Sequence, residues 1–312
     1  MQSFYAPGKV ILAGEYAVLH GFEALALPVN RGQWLDTWIY QTPHNGADFF
    51  RYSALDHLEK PWLSLELEIN DIRNGEIKQT EHPPETHFLL QILQKVPSDF
   101  WKQGYSLRFE SRLEFDRLHG LGSSSTFLTL LCNYFGLNPH TIQSEIFGGS
   151  GYDVAIAQVQ KPLVFWLANQ ESNFRPWHLN SELTAGWNIV FLGEKVNSRE
   201  STLKSKSDME MVARDENYRQ QISKILAVIR DAQDIPTLET GLEMYQLFLS
   251  QLLNLPSVYA HFNIKPVSRG LGKWLGAWGG DMLLANDALL NAYPEVFANF
   301  EKMKWNDCIK YN

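Results

Sequence analysis

The chain has 312 residues, 45% of them apolar, which is more than one core usually needs, so two folded domains are the default expectation. Its 35 acidic against 27 basic side chains leave a formal charge of −8 with no Lys/Arg-rich run, which argues against a nucleic-acid partner. The two cysteines, Cys132 and Cys308, make neither a disulfide framework nor a metal-ligand spacing, and no apolar run is long enough to span a bilayer. With no signal-peptide pattern at its start, MQSFYAPGK, the chain is expected in the cytoplasm, away from membranes.

In chain order, Lys9 to Leu12 reads as a strand entered through a Pro7-Gly8 turn, and Trp34 to Tyr40 as an alternating, aromatic-rich strand. Trp62 to Ile69 alternates apolar with acidic residues, Thr86 to Val96 reads as a helix, and Tyr105 to Phe115 alternates again. A glycine- and serine-rich segment follows, then a helix over Thr126 to Phe135. The run from Pro162 to Asn169 and the run from Gly186 to Gly193 read as buried strands. Two long helices are expected over Met209 to Ala232 and Thr237 to Leu253, with Pro256 and Pro266 as punctuation. No repeat or low-complexity linker marks a domain boundary; a division into 1–180 and 181–312 is the working expectation.

The segment HGLGSSST, His119 to Thr126, is the most telling. Gly120 and Gly122 let backbone approach an anion with no Cβ in the way, and the first amides of the following helix have no intrahelical partners. Leu121 lies between them, and Ser123, Ser124 and Ser125 add hydroxyls able to bond phosphate oxygens or Mg²⁺. The same letters also describe an ordinary turn with a Ser/Thr cap. A Walker A loop is excluded, because Gly122 is followed by Ser123 rather than Lys.

Two more glycine-rich segments, Ala6 to Gly21 and Lys273 to Asp281, share this character. Together the three resemble, in order, the motifs of the GHMP kinases, the superfamily of galactokinase, homoserine kinase, mevalonate kinase and phosphomevalonate kinase. The first is Pro7-Gly8-Lys9 with Gly14-Glu15-Tyr16-Ala17, the second Gly120 to Ser124, the third Gly276-Ala277-Trp278-Gly279-Gly280; Gly148 to Ala155 is similar to the segment bearing the catalytic aspartate. The resemblance implies an α+β protein with the two-domain GHMP kinase fold: an N-terminal α/β domain like domain 2 of ribosomal protein S5, a ferredoxin-like C-terminal domain, and the active site in the cleft between them. It implies ATP and Mg²⁺ as cofactors, a small-molecule acceptor, and a monomer or homodimer.

Asp153 would then take the proton of the acceptor hydroxyl or orient it, where residue chemistry alone offers a helix cap. Lys9, otherwise a surface lysine, would neutralise the aspartate's neighbourhood or contact the transferring phosphate. Gly120 to Ser125, with Gly276 and Gly279, would hold the nucleotide. Ser124 would bind Mg²⁺, and Glu145 resembles the metal-binding glutamate of mevalonate kinases, though the segment from it to Asp153 is shorter here. Glu15 and Tyr16 stand where the family places acceptor or structural contacts, and His20 is a candidate acceptor contact or plain polar surface. Lys195, Ser201 and Thr202, with Arg199, lie in a polar loop suited to an anionic acceptor or simply to solvent. Trp278 stands where the third motif usually has glycine. GEYAVLHG and GAWGGD look closest to the mevalonate and phosphomevalonate branch, so the expected activity is phosphorylation of phosphomevalonate or mevalonate. A diphosphomevalonate decarboxylase, a sugar kinase of the same fold, and a non-catalytic relative are the alternatives.

Overall fold

The computed structural model describes residues 1–44, 46–193, 209–210, 213–276 and 281–311. They fall into two compact units that interleave along the chain. The first comprises Met1–Gly8, Arg31–Arg117 and Gly122–Gln158; the second comprises Lys9–Asn30, Leu118–Leu121 and Val159–Asn312. Two strands, β1 (Gln2–Ala13) and β2 (Ala24–Gln41), give residues to both.

In the first unit, β3 (Phe49–Leu55), β4 (Pro61–Glu68) and β5 (Tyr105–Leu113) join β2 in the order β4-β3-β5-β2. The pairs are antiparallel except β3 with β5, and β2 meets β5 from Gln33 opposite Leu113 to Gln41 opposite Tyr105. Period-two alternation sends Phe50, Tyr52 and Ala54 of β3 inward, and Leu107 and Phe109 of β5 likewise. The same core takes in residues of α1 (Ile69–Asn74), α2 (His87–Leu93), α3 (Ser123–Phe135), α4 (Pro139–Ile146) and α5 (Tyr152–Val159). The chain supplies their ends: Asn138 caps α4 by accepting from His140 and Thr141 N–H, and Gly136 closes α3 in the left-handed region.

In the second unit, β6 (Leu163–Ala168) and β7 (Glu171–Pro176) form a hairpin, with β6 also pairing with Ala24–Ala26 of β2. A four-stranded antiparallel sheet follows, built of β8 (Trp187–Phe191), β9 (Gly272–Leu275), β10 (Met282–Asn286) and β11 (Glu301–Lys304). Between β8 and β9 run α6 (Glu216–Asp231), α7 (Ile235–Leu252) and the short α8 (Val258–His261), and between β10 and β11 runs α9 (Asp287–Ala292). The order β11-β8-β10-β9 puts the first strand between the last and the third, the arrangement of a ferredoxin-like split βαβ. Asp215 and Asp234 cap α6 and α7, and Ile222, Ile225, Leu226 and Ile229 give α6 its apolar stripe. The α+β class expected from the sequence is what the chain adopts. No described helix is long and apolar enough to cross a membrane.

Three local expectations are revised. Pro7-Gly8-Lys9 lies inside β1 rather than in a turn, the Lys9 N–H going to the Leu121 carbonyl at 2.8 Å. The helix after the glycine loop starts at Ser123, three residues before Thr126, because Gly122 in the left-handed region turns the chain straight into it. The strand from Trp62 stops at Glu68, and Ile69 opens α1 instead.

Candidate active site

The first unit holds the start of α3. Gly122, at φ +91°, is the N-cap of α3 and, having no side chain, leaves the first turn's amides without a side-chain cap from that position. Ser125 is buried and donates to the Gly122 carbonyl at 2.8 Å, while Thr126, fully buried, donates to Gln33 Oε1 at 2.7 Å. Ser123 is half-buried and Ser124 exposed. Uncapped amides, the positive end of a 13-residue helix and an outward hydroxyl thus coincide at one turn.

Asp153 sits in the first turn of α5, after Gly148, Gly149 and Gly151, all at positive φ. It is half-buried, and its Oδ1 accepts from the Val154 N–H at 3.1 Å. His140 of α4 lies within its electrostatic reach: burial pushes the imidazole below its ordinary value, against the opposing influence of nearby Gln158 and the pull of the Asp153 charge. Nothing in the sequence marks His140, since its nearness to Asp153 comes from the packing of α4 and α5. Glu145 lies on α4 with its carboxylate on Lys95, both side chains nearly half exposed. Among the described residues no group of three His, Cys, Asp or Glu side chains converges as a metal cage.

The second unit holds Lys9 and the start of the glycine loop. The half-buried Lys9 ammonium donates to the Gly120 carbonyl at 2.9 Å, so side chain and backbone of one residue grip the loop at two successive carbonyls. Gly120, at φ +66°, backs directly on Asp281; a Cβ there would lie 2.6 Å from the Asp281 Cβ. His119 stacks on Phe191 with centroids 3.8 Å apart, and its Nε2 meets Glu301 at 3.2 Å.

Glu15 is buried, and its Oε1 accepts from Lys273 Nζ at 2.6 Å in a pair almost wholly removed from water. Burial pushes the Glu15 carboxyl up, against the opposing pull of Lys273. The Tyr245 hydroxyl donates to the Glu15 carbonyl at 2.9 Å. The Glu15 carboxylate thus ties β9 to the first motif. Neighbouring Tyr16 is buried at φ +62°, a conformation rare for its type, and His20 ends the short helical turn that follows, half-buried. Gly276 follows β9 at φ +75°, with no described residue within 4 Å of where a side chain would stand. Lys195, Arg199, Ser201, Thr202, Trp278 and Gly279 lie outside the described residues.

With this geometry in view, solved structures of similar fold were compared. Methanococcus jannaschii mevalonate kinase matches at 19% identity and TM-score 0.68, over 100% of this chain and 98% of that one. Streptococcus pneumoniae phosphomevalonate kinase, solved with phosphomevalonate and AMPPNP, matches at 13% and 0.66, over 97% and 100%. Lactococcus lactis galactokinase, solved with galactose, matches at 12% and 0.67, over 100% and 94%. No protein-family model and no curated protein sequence matches the chain. At these identities the likeness is one of fold, and that fold is the one shared by the GHMP kinases, here present over essentially the whole chain.

Proposed function

We propose that the chain is an ATP-dependent kinase of a small acceptor, phosphomevalonate or mevalonate. The observation that carries the reading is the uncapped start of α3, with its exposed Ser124 and its Gly122 at φ +91°. A turn so built is suited to anionic oxygens, and a triphosphate is the ligand that the fold's relatives suggest. In this reading the amides from Gly120 to Ser125 and the hydroxyls of Ser123 and Ser124 hold the nucleotide phosphates, with Gly276 and Gly279 completing the nucleotide site, while the Ser125 hydroxyl stays on the Gly122 carbonyl. Lys9, fixed on the Gly120 carbonyl, supplies positive charge toward the transferred group. Asp153 orients the acceptor hydroxyl or takes its proton, and Tyr16 and His20 contact the acceptor.

The donor set fits Mg²⁺ in the manner usual for phosphate-bound magnesium, with Ser124 as the protein oxygen and the phosphates and water as the rest. Glu145 would join only with its Lys95 pair opened. Bound there, the ion would neutralise charge on the transferred phosphoryl. The preference for an isoprenoid precursor draws on GEYAVLHG and on the likeness to mevalonate and phosphomevalonate kinases.

The test is ADP release from Mg·ATP with mevalonate, phosphomevalonate, diphosphomevalonate, galactose and homoserine, following phosphate and CO₂ alongside. ADP formation that depends on mevalonate or phosphomevalonate, without CO₂, supports the reading; CO₂ release from diphosphomevalonate replaces it with a decarboxylase. Asp153→Asn is expected to abolish turnover and leave ATP affinity nearly unchanged, and unchanged turnover would remove Asp153 from the chemistry.

A further inference from the structure

The first unit contains a cavity of about 520 Å³, well within the size range of small-molecule sites. It belongs to a different part of the unit from the glycine loop: Tyr134 in its wall lies eleven residues along α3 from Ser123, roughly 16 Å down the helix axis. The lining is aromatic and aliphatic, with Trp101 and Leu107 buried and Phe100 and Tyr134 beside them, while Tyr105 is an exposed part of it. The aromatic wall is braced from behind, Phe109 lying edge-on to Tyr134 at 4.6 Å and Phe50 edge-on to Trp101 at 6.2 Å. Nothing in the proposed phosphoryl transfer uses this space.

Its polar groups are unbalanced. Lys102 is the one charged side chain lining the cavity among the described residues, and no carboxylate lines it. Lys102 is exposed at the recess, the Gln2 amide also lines it, and the buried Trp101 indole N–H finds no acceptor among the described residues. Burial raises the Tyr134 phenol above its ordinary value, so it stays a donor. An apolar recess with one cation at it and no carboxylate suits a ligand that carries both an apolar body and an anionic head.

We propose that this cavity binds a small amphipathic anion, its apolar body against Trp101, Leu107 and Phe100 and its carboxylate or comparable head on Lys102 and the Tyr134 hydroxyl. Such a ligand would sit on the far portion of the helix that begins at Ser123, which makes it a candidate effector rather than a substrate.

The experiment is calorimetric titration of the full chain with decanoate, and with decan-1-ol as a body of the same length without the charge. Decanoate is expected to bind saturably at one site, and decan-1-ol about tenfold more weakly or worse. Lys102→Glu, a change at an exposed position, should weaken decanoate about tenfold and leave decan-1-ol little altered, while Tyr134→Phe should give a smaller loss confined to decanoate. No saturable decanoate binding up to its solubility, equal binding of acid and alcohol, or full affinity in Lys102→Glu would each overturn the proposal. Because the readout is binding without nucleotide, it stands whether or not the chain proves to be a kinase.

Discussion

Replacing Lys273 by Met removes the ammonium while keeping a side chain of similar reach in a site that is 1% exposed. It leaves the Glu15 carboxylate with no cation, and its Oε2 is already buried without a partner. Breaking a buried ion pair from one side costs about 3–5 kcal/mol, most of it the penalty of the stranded charge. Removing both charges, in Glu15→Gln with Lys273→Met, should recover all but about 1–2 kcal/mol, since a neutral buried pair owes no such penalty. The pH dependence has a definite sign. Burial holds the Glu15 carboxyl above its ordinary 4.5, and without Lys273 only its own backbone N–H opposes that rise. A carboxyl raised in the folded state is penalised only when ionised, so the Lys273→Met deficit is full above the folded pKa and shrinks as pH falls toward 4.5. Urea unfolding followed by tryptophan fluorescence at several pH values measures both effects. A deficit below about 1 kcal/mol, or one that does not shrink on acidification, would refute the argument that this pair staples β9 to the first motif.

Two further changes probe the loop and the core. Gly120→Ala forces a side chain into φ +66° and against Asp281, whose own Cβ cannot swing away; a loss of about 2–4 kcal/mol is expected. Gly136→Ala, at φ +69° with nothing within 4 Å, should lose only about 1–2 kcal/mol, and equal losses at the two positions would discard the contact. Burial pushes the Cys132 thiol up to about 12, and Cys308 is buried as well, so neither should react with a thiol reagent at pH 8 until the chain unfolds; prompt labelling of the native protein would contradict that packing.

Much of the fold was legible because it obeys local rules. The alternation in β5, the 3.6-residue stripe of α6 and the glycines around α3 are short-range signals, and each marks an element that forms. What escaped was written in contacts rather than in pattern. β9 is four residues, Gly272-Lys273-Trp274-Leu275, and its lysine reads as surface until Glu15, 258 positions earlier, appears beside it. β3 alternates as strictly as β5, but FFRYSAL is seven residues long, and its place is set by parallel pairing with β5 across more than fifty residues of chain. The start of α3 was read late because a run of serines disfavours a helix interior; in a first turn their hydroxyls can bond back, as Ser125 does to Gly122.

The candidate site divides along the same line. Glycines at positive φ and a serine on a first turn follow from sequence, because backbone conformation is a property of the residue that adopts it. The partner of a charge does not, because it is set by packing between segments far apart in the chain. Glu145 lies near the surface with Lys95, whereas Glu15 is buried with Lys273. Lys9 turned out to be held by the glycine loop itself, through its amide to Leu121 and its ammonium to Gly120. That double grip has a functional consequence under the kinase reading. A cation already bonded to the loop's carbonyl is positioned before any phosphate arrives, so it adds charge to the site with little of the entropy loss a free lysine would incur.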